Sequence, residues 1–190
     1  MNKETNPIRK AVLIYEDEPI ILKDMSKHLE RSGLSVFPTR HLIDAAEVLF
    51  SSHPPAVFIA DMAVDLWINE SIYDEIRNKY HFESGTHGNT GVLALIHDTQ
   101  EQVRDVRIIL NSGINTVETA RSLGIFGYMK KPFGNENYNN LIEVCRLGTL
   151  RNDELNNLQR LKEGPLNLDS SDLIKPYIKR FWSNHGKERK

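Results

Sequence analysis

The stretch Ala11-Val-Leu-Ile-Tyr-Glu16-Asp17-Glu18-Pro19 decides the fold of this 190-residue chain. Its apolar residues run directly into three consecutive acids, and a short apolar run that ends in a turn signal predicts a buried strand. Pro19 suits the first turn of a helix. Apolar residues then follow at helical spacing, namely Ile20, Ile21, Leu22, Met25 and Leu29. We therefore predict a strand, an acidic turn and a helix.

The three acids of this turn fall at the carboxyl end of a strand, which is where open α/β sheets bind their ligands. Like charges in contact there cost roughly 4 kcal/mol per pair at an effective dielectric constant near 20. A divalent cation or a lysine from elsewhere in the chain would relieve this repulsion. The alternative interpretation is a solvated acidic loop.

Composition narrows the class of protein. The net charge of −2 and the pI of about 6.4 do not favour nucleic acid or a membrane surface as a partner. A single cysteine, Cys145, excludes a disulfide framework. No apolar run reaches the ~20 residues of a membrane span, and the polar residues 1–10 lack a signal-peptide core. We expect a cytoplasmic protein that does not enter the membrane.

Strand and helix signals alternate along the chain. Further apolar runs predict strands at 36–37, 56–60, 91–96 and 125–129. Helical spacing predicts helices at 42–50, 68–80, 99–111, 115–123 and 136–150. This alternation predicts a parallel sheet with helices on both faces.

Right-handed crossovers bring the carboxyl ends of parallel strands to one edge of the sheet. That edge would hold Glu16, Asp17, Asp61 and Lys131, which follow or end three separate predicted strands. Asp61 alone could be a helix cap and Lys131 alone a surface lysine. Neither explanation accounts for all four residues falling at the same edge.

These residues resemble the receiver domain of bacterial two-component response regulators. The matching pieces are Tyr15-Glu-Asp-Glu-Pro19, the strand that ends at Asp61, and Gly127-Tyr-Met-Lys-Lys131-Pro-Phe133, and the resemblance covers roughly residues 9–150. It implies a flavodoxin-like, five-stranded parallel sheet with helices on both faces. We assign residues 1–150 to the receiver-like domain and 151–190 to a helical C-terminal tail.

The resemblance also implies a magnesium site and a phosphoacceptor. Asp61 matches the aspartate that the family phosphorylates. Asp17 matches a direct Mg²⁺ ligand and Glu16 one that acts mostly through water, and Asp61 and the backbone carbonyl of Ala63 complete the set. Carboxylate and carbonyl oxygens are the ligands that Mg²⁺ prefers.

Two further roles follow from the resemblance. Lys131 matches the lysine that pairs with the acceptor aspartate and then with the phosphoryl group. Tyr128 matches the aromatic residue that turns inward on activation. The implied partners are a histidine kinase or a phosphotransfer protein and an unknown downstream protein, and the implied chemistry is at most self-phosphorylation and self-dephosphorylation.

The sequence departs from the family pattern at the predicted fourth strand. The family places a Ser or Thr at the end of that strand, where its hydroxyl meets the phosphoryl group. Counted from Gly91, that position holds Ile96, and the next residue, usually very small, is His97. A shift of one residue would instead let His97 contact the phosphoryl group, and Thr99 lies too far along.

Three other departures concern longer segments. The run Met62-Ala-Val-Asp-Leu-Trp67 lacks the Met-Pro and Gly that usually follow the acceptor, which puts the position of the Ala63 carbonyl in question. Residues 96–131 are predicted to hold an extra helix between the fourth and fifth strands, on the face where receivers commonly dimerise, so a homodimer is left open. No output domain is recognisable downstream.

The tail is predicted to form two helices, separated by Gly164-Pro165. Residues 175–190 contain six basic residues and one acid, a balance of +5. We expect the aromatic residues of this tail to pack on the domain. Contact with nucleic acid or with a partner helix is the alternative.

Three functions compete. The favoured one is a receiver phosphorylated slowly on Asp61, because the charged chemistry is retained and one oriented hydroxyl is missing. The second is a pseudo-receiver that acts as a phosphorylation-independent interaction module, which Ile96, His97 and the altered loop support. The third is a Mg²⁺-dependent phosphatase, but Ala63 stands where that class usually has a second aspartate.

Overall fold

The computed structural model describes residues 11–62, 87–112, 120–121, 123–131, 134–150 and 164–170. Its strands are β1 (Ala11–Tyr15), β2 (Ser35–Thr39), β3 (Val57–Asp61), β4 (Arg107–Ser112), β5 (Gly127–Lys130) and β6 (Leu166–Asn167). Its helices are α1 (Pro19–Arg31), α2 (Leu42–Leu49), α3 (His87–Gln102) and α4 (Asn135–Gly148).

The strands form one parallel sheet in the order β2-β1-β3-β4-β5-β6. The predicted fold class, a parallel α/β sheet of flavodoxin-like type, is therefore confirmed. The change of direction in strand order beside β1 is the point at which such sheets bind ligands. In this chain that point lies at the carboxyl ends of β1 and β3.

Alternating side chains of the central strands face two separate cores. One face packs Leu13, Phe58 and Leu110 with side chains of α2 and α3. The opposite face packs Ile14 and Ile59 with side chains of α1 and α4. Because both faces are covered, every residue of β3 is buried, which explains why its sequence is apolar up to its last residue, Asp61.

Local signals set the beginning and end of α1. Pro19 occupies the first turn, where its missing N–H leaves no helical hydrogen bond unmade. Gly33 has φ of +87°, the left-handed conformation that lets the chain turn sharply into β2. The helix buries Leu22, Met25 and Leu29 on one face, as the apolar spacing predicted.

The strand predicted at 91–96 is wrong, because these residues belong to α3. Val92, Leu95, Ile96 and Thr99 recur at spacings of three and four and are all buried, which is the pattern of a helix face. A short, wholly apolar run cannot by itself distinguish a buried strand from a buried helix.

The helix predicted at 99–111 is also wrong over its second half, where Arg107–Ser112 forms β4. The extra helix expected between the fourth and fifth strands was a consequence of this misassignment. Only residues 113–126 separate β4 from β5. The helix predicted at 115–123 falls mostly outside the described residues. The helix predicted at 68–80 lies wholly outside them.

Within the described residues the sheet has six strands rather than the five predicted, because β6 comes from the tail. Leu166 donates its N–H to the carbonyl of Phe126 (3.0 Å), and Leu168 donates to the carbonyl of Tyr128 (2.9 Å). The sheet therefore extends beyond residue 150. The two helices predicted for the tail fall outside the described residues.

Candidate phosphoacceptor and metal site

The carboxyl ends of three strands carry the charged residues that the sequence singled out. Glu16 and Asp17 follow β1, Asp61 is the last residue of β3, and Lys131 follows β5. Since β3 lies beside β1 and β4 separates β3 from β5, the Lys131 side chain crosses the end of β4 to reach the acids.

Lys131 bridges two of the carboxylates. Its Nζ donates to Glu16 Oε1 at 2.7 Å and to Asp61 Oδ2 at 2.8 Å. The side chains of both acids are fully buried and that of Lys131 is 11 % exposed. Removing Lys131 would leave two buried carboxylates without their shared cation, a strongly destabilising change.

Both oxygens of the Glu16 carboxylate are occupied. Oε1 accepts from Lys131 and from the backbone N–H of Glu18 (3.3 Å), while Oε2 accepts from Asn111 Nδ2 at 2.9 Å. Asn111 is itself fully buried on β4. The sequence interpretation missed Asn111, because it contacts a residue 95 positions away.

Burial dominates the ionisation of this site. It raises the pKa of Glu16, the Asp61 charge adds to this rise, and Lys131 offsets part of it. The pKa of Asp17 is raised for the same first two reasons. Burial alone would lower the pKa of Lys131, but its hydrogen bonds to Asp61 and Glu16 raise it. One ammonium therefore does not neutralise the three acids.

The donor set fits a hard divalent cation. Glu16, Asp17 and Asp61 each offer a carboxylate oxygen, and these atoms lie within 4.8 Å of one another. Asp17 Oδ1 is buried and accepts no hydrogen bond from any residue that the structure describes. A buried carboxylate oxygen without a donor is costly, and Mg²⁺ would satisfy it while cancelling the excess negative charge. Ala63 lies outside the described residues.

Residues at and just after the end of β2 hold the backbone of the turn that carries Glu16 and Asp17. Arg40 Nε donates to the backbone carbonyl of Asp17 at 3.0 Å, and the backbone N–H of Glu16 donates to the carbonyl of Thr39 at 3.1 Å. These contacts fix the backbone of the two acids. Their side chains are therefore directed by the sheet rather than by a free loop.

Ile96 and His97 do not lie at the end of the fourth strand, so the prediction that they replace the family's hydroxyl is wrong. Ile96 is buried in the core from α3. His97 is 60 % exposed on α3, where its ring nitrogens approach Asp98 and Glu101 at 3.6 Å each.

The residue that does end β4 is Ser112, followed in sequence by Gly113. Ser112 is buried, its carbonyl accepts from the Lys131 N–H (2.9 Å), and its neighbour Asn111 is in register with Asp61. In the sequence, the apolar run Ile108-Ile-Leu110 followed by Asn-Ser-Gly predicts a strand and then a turn. This pattern could have identified Ser112 as the end of the strand.

Tyr128 lies on β5 and is buried. Burial raises the pKa of its hydroxyl. Its side chain belongs to the core cluster that contains Leu110 and Ile125.

Comparison with known proteins supports this fold through structure alone. A scan against protein-family models and a search of curated proteins each gave no match.

Among the described residues, no helix is both long and apolar enough to cross a membrane.

Several solved structures share the fold. A response regulator receiver domain protein from Clostridium thermocellum superposes with a TM-score of 0.53 at 17% identity, covering 76% of this chain and 98% of its own. The receiver domain of the Francisella response regulator 1452 gives 0.52 at 17%, covering 76% and 97%. A response regulator receiver protein from Sinorhizobium medicae gives 0.51 at 19%, covering 73% and 93%. This chain has the receiver fold.

Proposed function

We propose that this protein is a response-regulator receiver that accepts a phosphoryl group on Asp61 with Mg²⁺ and signals through protein contacts. The observation that carries the proposal is the arrangement of charges at the sheet edge. Lys131 holds Asp61 and Glu16 together, and Asp17 presents a buried oxygen that no described residue satisfies.

Asp61 would act as the nucleophile. One of its carboxylate oxygens forms a bond to phosphorus as the bond from phosphorus to the donor breaks, and the donor leaves with that electron pair. A carboxylate carries no proton to remove, so no general base is needed. Lys131 would then follow the phosphoryl oxygens, since phosphoryl transfer depends on positioning and on cations near the developing charge.

Asp17 and Asp61 would hold the cation directly, with the Ala63 carbonyl, and Glu16 would contribute mainly through water. Bound Mg²⁺ would supply positive charge to the phosphoryl oxygens. Ser112 would be the family's hydroxyl donor, and Tyr128 the aromatic switch. With a serine at the end of β4, we no longer expect the slow reaction that Ile96 implied.

The alternative is a pseudo-receiver that binds partners without phosphorylation. One feature still favours it, namely the run Met62-Ala-Val-Asp-Leu-Trp67, which departs from the family pattern next to the acceptor. On either proposal the outputs are protein contacts. On the receiver proposal the donor is a histidine kinase or a phosphotransfer protein in the cytoplasm.

The test is intact-mass spectrometry of the full chain after incubation with MgCl₂ and acetyl phosphate. We expect one phosphoryl group to add, and we expect the addition to disappear with EDTA and in Asp61→Asn. Glu47→Gln is the matched control, because Glu47 is an exposed acid in the second half of α2. No addition to the wild-type protein, with its circular dichroism intact, would leave the pseudo-receiver as the better proposal.

A further inference from the structure

Residues 164–170 of the tail are built into the receiver-like domain. Leu166 and Leu168 are buried and belong to the core cluster that α1 and α4 cover. Asn140 Nδ2 on α4 donates to the carbonyl of Leu168 at 2.9 Å. Gly127 allows this approach, because a Cβ there would come within 3.0 Å of the Leu168 side chain.

Asp169, which follows this strand, binds the backbone just before Lys131. The N–H of Lys130 donates to both carboxylate oxygens of Asp169, at 3.0 and 3.1 Å. On the other side, the N–H of Lys131 donates to the carbonyl of Ser112 at 2.9 Å. The two residues are thus held from opposite sides, by β4 and by the tail.

A second contact extends this attachment to the start of α4. Asn137 Nδ2 donates to Asp169 Oδ1 at 3.1 Å, and Asn137 Oδ1 accepts from the N–H of Gly134 at 2.9 Å. Asp169 therefore links the end of β5 to the first turn of the following helix. Lys131 lies between these two attachment points.

We propose that Asp169 is a positioning residue for Lys131, and that docking of residues 164–170 on β5 sets the reactivity of Asp61. This inference rests on the proposed function. The Lys131 Nζ must bridge Glu16 and Asp61 from the far side of β4, so a small displacement of its backbone moves it out of hydrogen-bonding range.

The coupling has a consequence for regulation. A partner that displaces residues 164–170 from β5 would lower phosphorylation of Asp61. If docking of this segment favours phosphorylated Asp61 at equilibrium, then phosphorylation strengthens the docking by the same factor; this reciprocity applies to the equilibrium and not to the phosphorylation rate.

The experiment compares Asp169→Ala with Asp169→Asn in the full chain, using acetyl phosphate and MgCl₂. Alanine removes the acceptor for the Lys130 N–H, and we expect the phosphorylation rate to fall about fivefold to tenfold, the effect of one lost hydrogen bond. Asparagine keeps one acceptor oxygen, and we expect its rate to stay within about twofold of wild type. Glu47→Ala, which removes an exposed acid on α2, is the control, and we expect its rate to be unchanged.

Two readouts distinguish positioning from general destabilisation. Magnesium affinity, measured by titration calorimetry, should not fall in Asp169→Ala, since moving the Lys131 ammonium away from Glu16 and Asp61 removes a positive charge beside the ligands. General destabilisation of the site would instead weaken magnesium binding. Hydrogen exchange should become faster in the peptide that spans Gly127–Lys131 and stay unchanged in β1.

Several outcomes would overturn the inference. They are equal rates for Asp169→Ala and wild type, equal losses in Asp169→Ala and Asp169→Asn, or unchanged exchange at Gly127–Lys131. If the wild-type protein accepts no phosphoryl group, the proposed function fails. The exchange measurement then still tests whether Asp169 holds the backbone at Lys131.

Discussion

Single residues at the ends of β1, β3, β4 and β5 determine what this site can do. Two fully buried acids, Glu16 and Asp61, share Lys131, the half-buried Asp17 lies beside them, and Asn111 occupies the remaining oxygen of Glu16. The carboxylates alone would repel one another, and so the charge balance favours a bound cation. Ser112 lies at the end of β4, between the strands that carry Asp61 and Lys131.

At this scale we expect Ser112→Ala to slow phosphorylation of Asp61 on the order of a hundredfold, the typical effect of losing one oriented donor to a transition state. His97→Ala should leave the rate within about twofold, since an exposed substitution away from the site is usually nearly neutral. Phosphorylation rates by intact mass, with circular dichroism as a check on folding, measure both. A larger loss in His97→Ala than in Ser112→Ala would restore the alternative in which His97 contacts the phosphoryl group.

Among the elements, β6 carries no sequence pattern that indicates a strand, whereas β4 carries an apolar run that was assigned to a helix. Strand β6 has two residues, too few to show an alternating pattern, but its neighbour Leu168 is fully buried. Tertiary packing therefore recruits the tail to the edge of β5. Because β6 pairs with β5, the backbone of β5 is no longer open to pairing with another chain.

If the tail belongs to the folded domain, Leu168→Ala should destabilise the protein by about 2–5 kcal/mol, as buried leucine truncations do. Ile20→Ala is the matched control, because Ile20 is 75 % exposed, and it should change stability by less than about 0.5 kcal/mol. Urea unfolding followed by circular dichroism measures both. Equal stability of the two variants would mean that the domain ends before residue 164.

At the scale of the whole molecule, the acidic site opposes folding when no cation is bound. The pKa of Glu16 is raised above its ordinary value of 4.5, chiefly by burial and then by Asp61. The folded state therefore binds a proton that the unfolded state releases above that pH. This contribution to stability is present below pH 4.5 and is lost as the pH rises through the higher, folded-state pKa.

We therefore expect Glu16→Gln to gain thermal stability relative to wild type as the pH is raised from 5 toward 8. Glutamine carries no charge, so the variant does not lose stability as the pH rises through the folded-state pKa of Glu16. Adding MgCl₂ should narrow the difference at high pH, because the cation binds the ionised form. Thermal unfolding at several pH values, with and without MgCl₂, measures this, and a difference independent of pH would contradict it.

The sequence by itself determined β1, β3 and β5 and the four charged residues at their ends. In each case a buried run stops at a charged side chain, and parallel strands bring those ends to one edge. These signals are local, so reading along the chain was sufficient. The roles of the four residues in phosphoryl transfer stay proposals.

Tertiary structure alone decided the rest. Residues 91–96 and 107–112 are both short apolar runs, and only packing makes the first a helix and the second β4. The partnership of Asn111 with Glu16 and of Asp169 with Lys130 joins residues distant in sequence. Such contacts leave no periodic trace, because they depend on which strands become neighbours in the folded sheet.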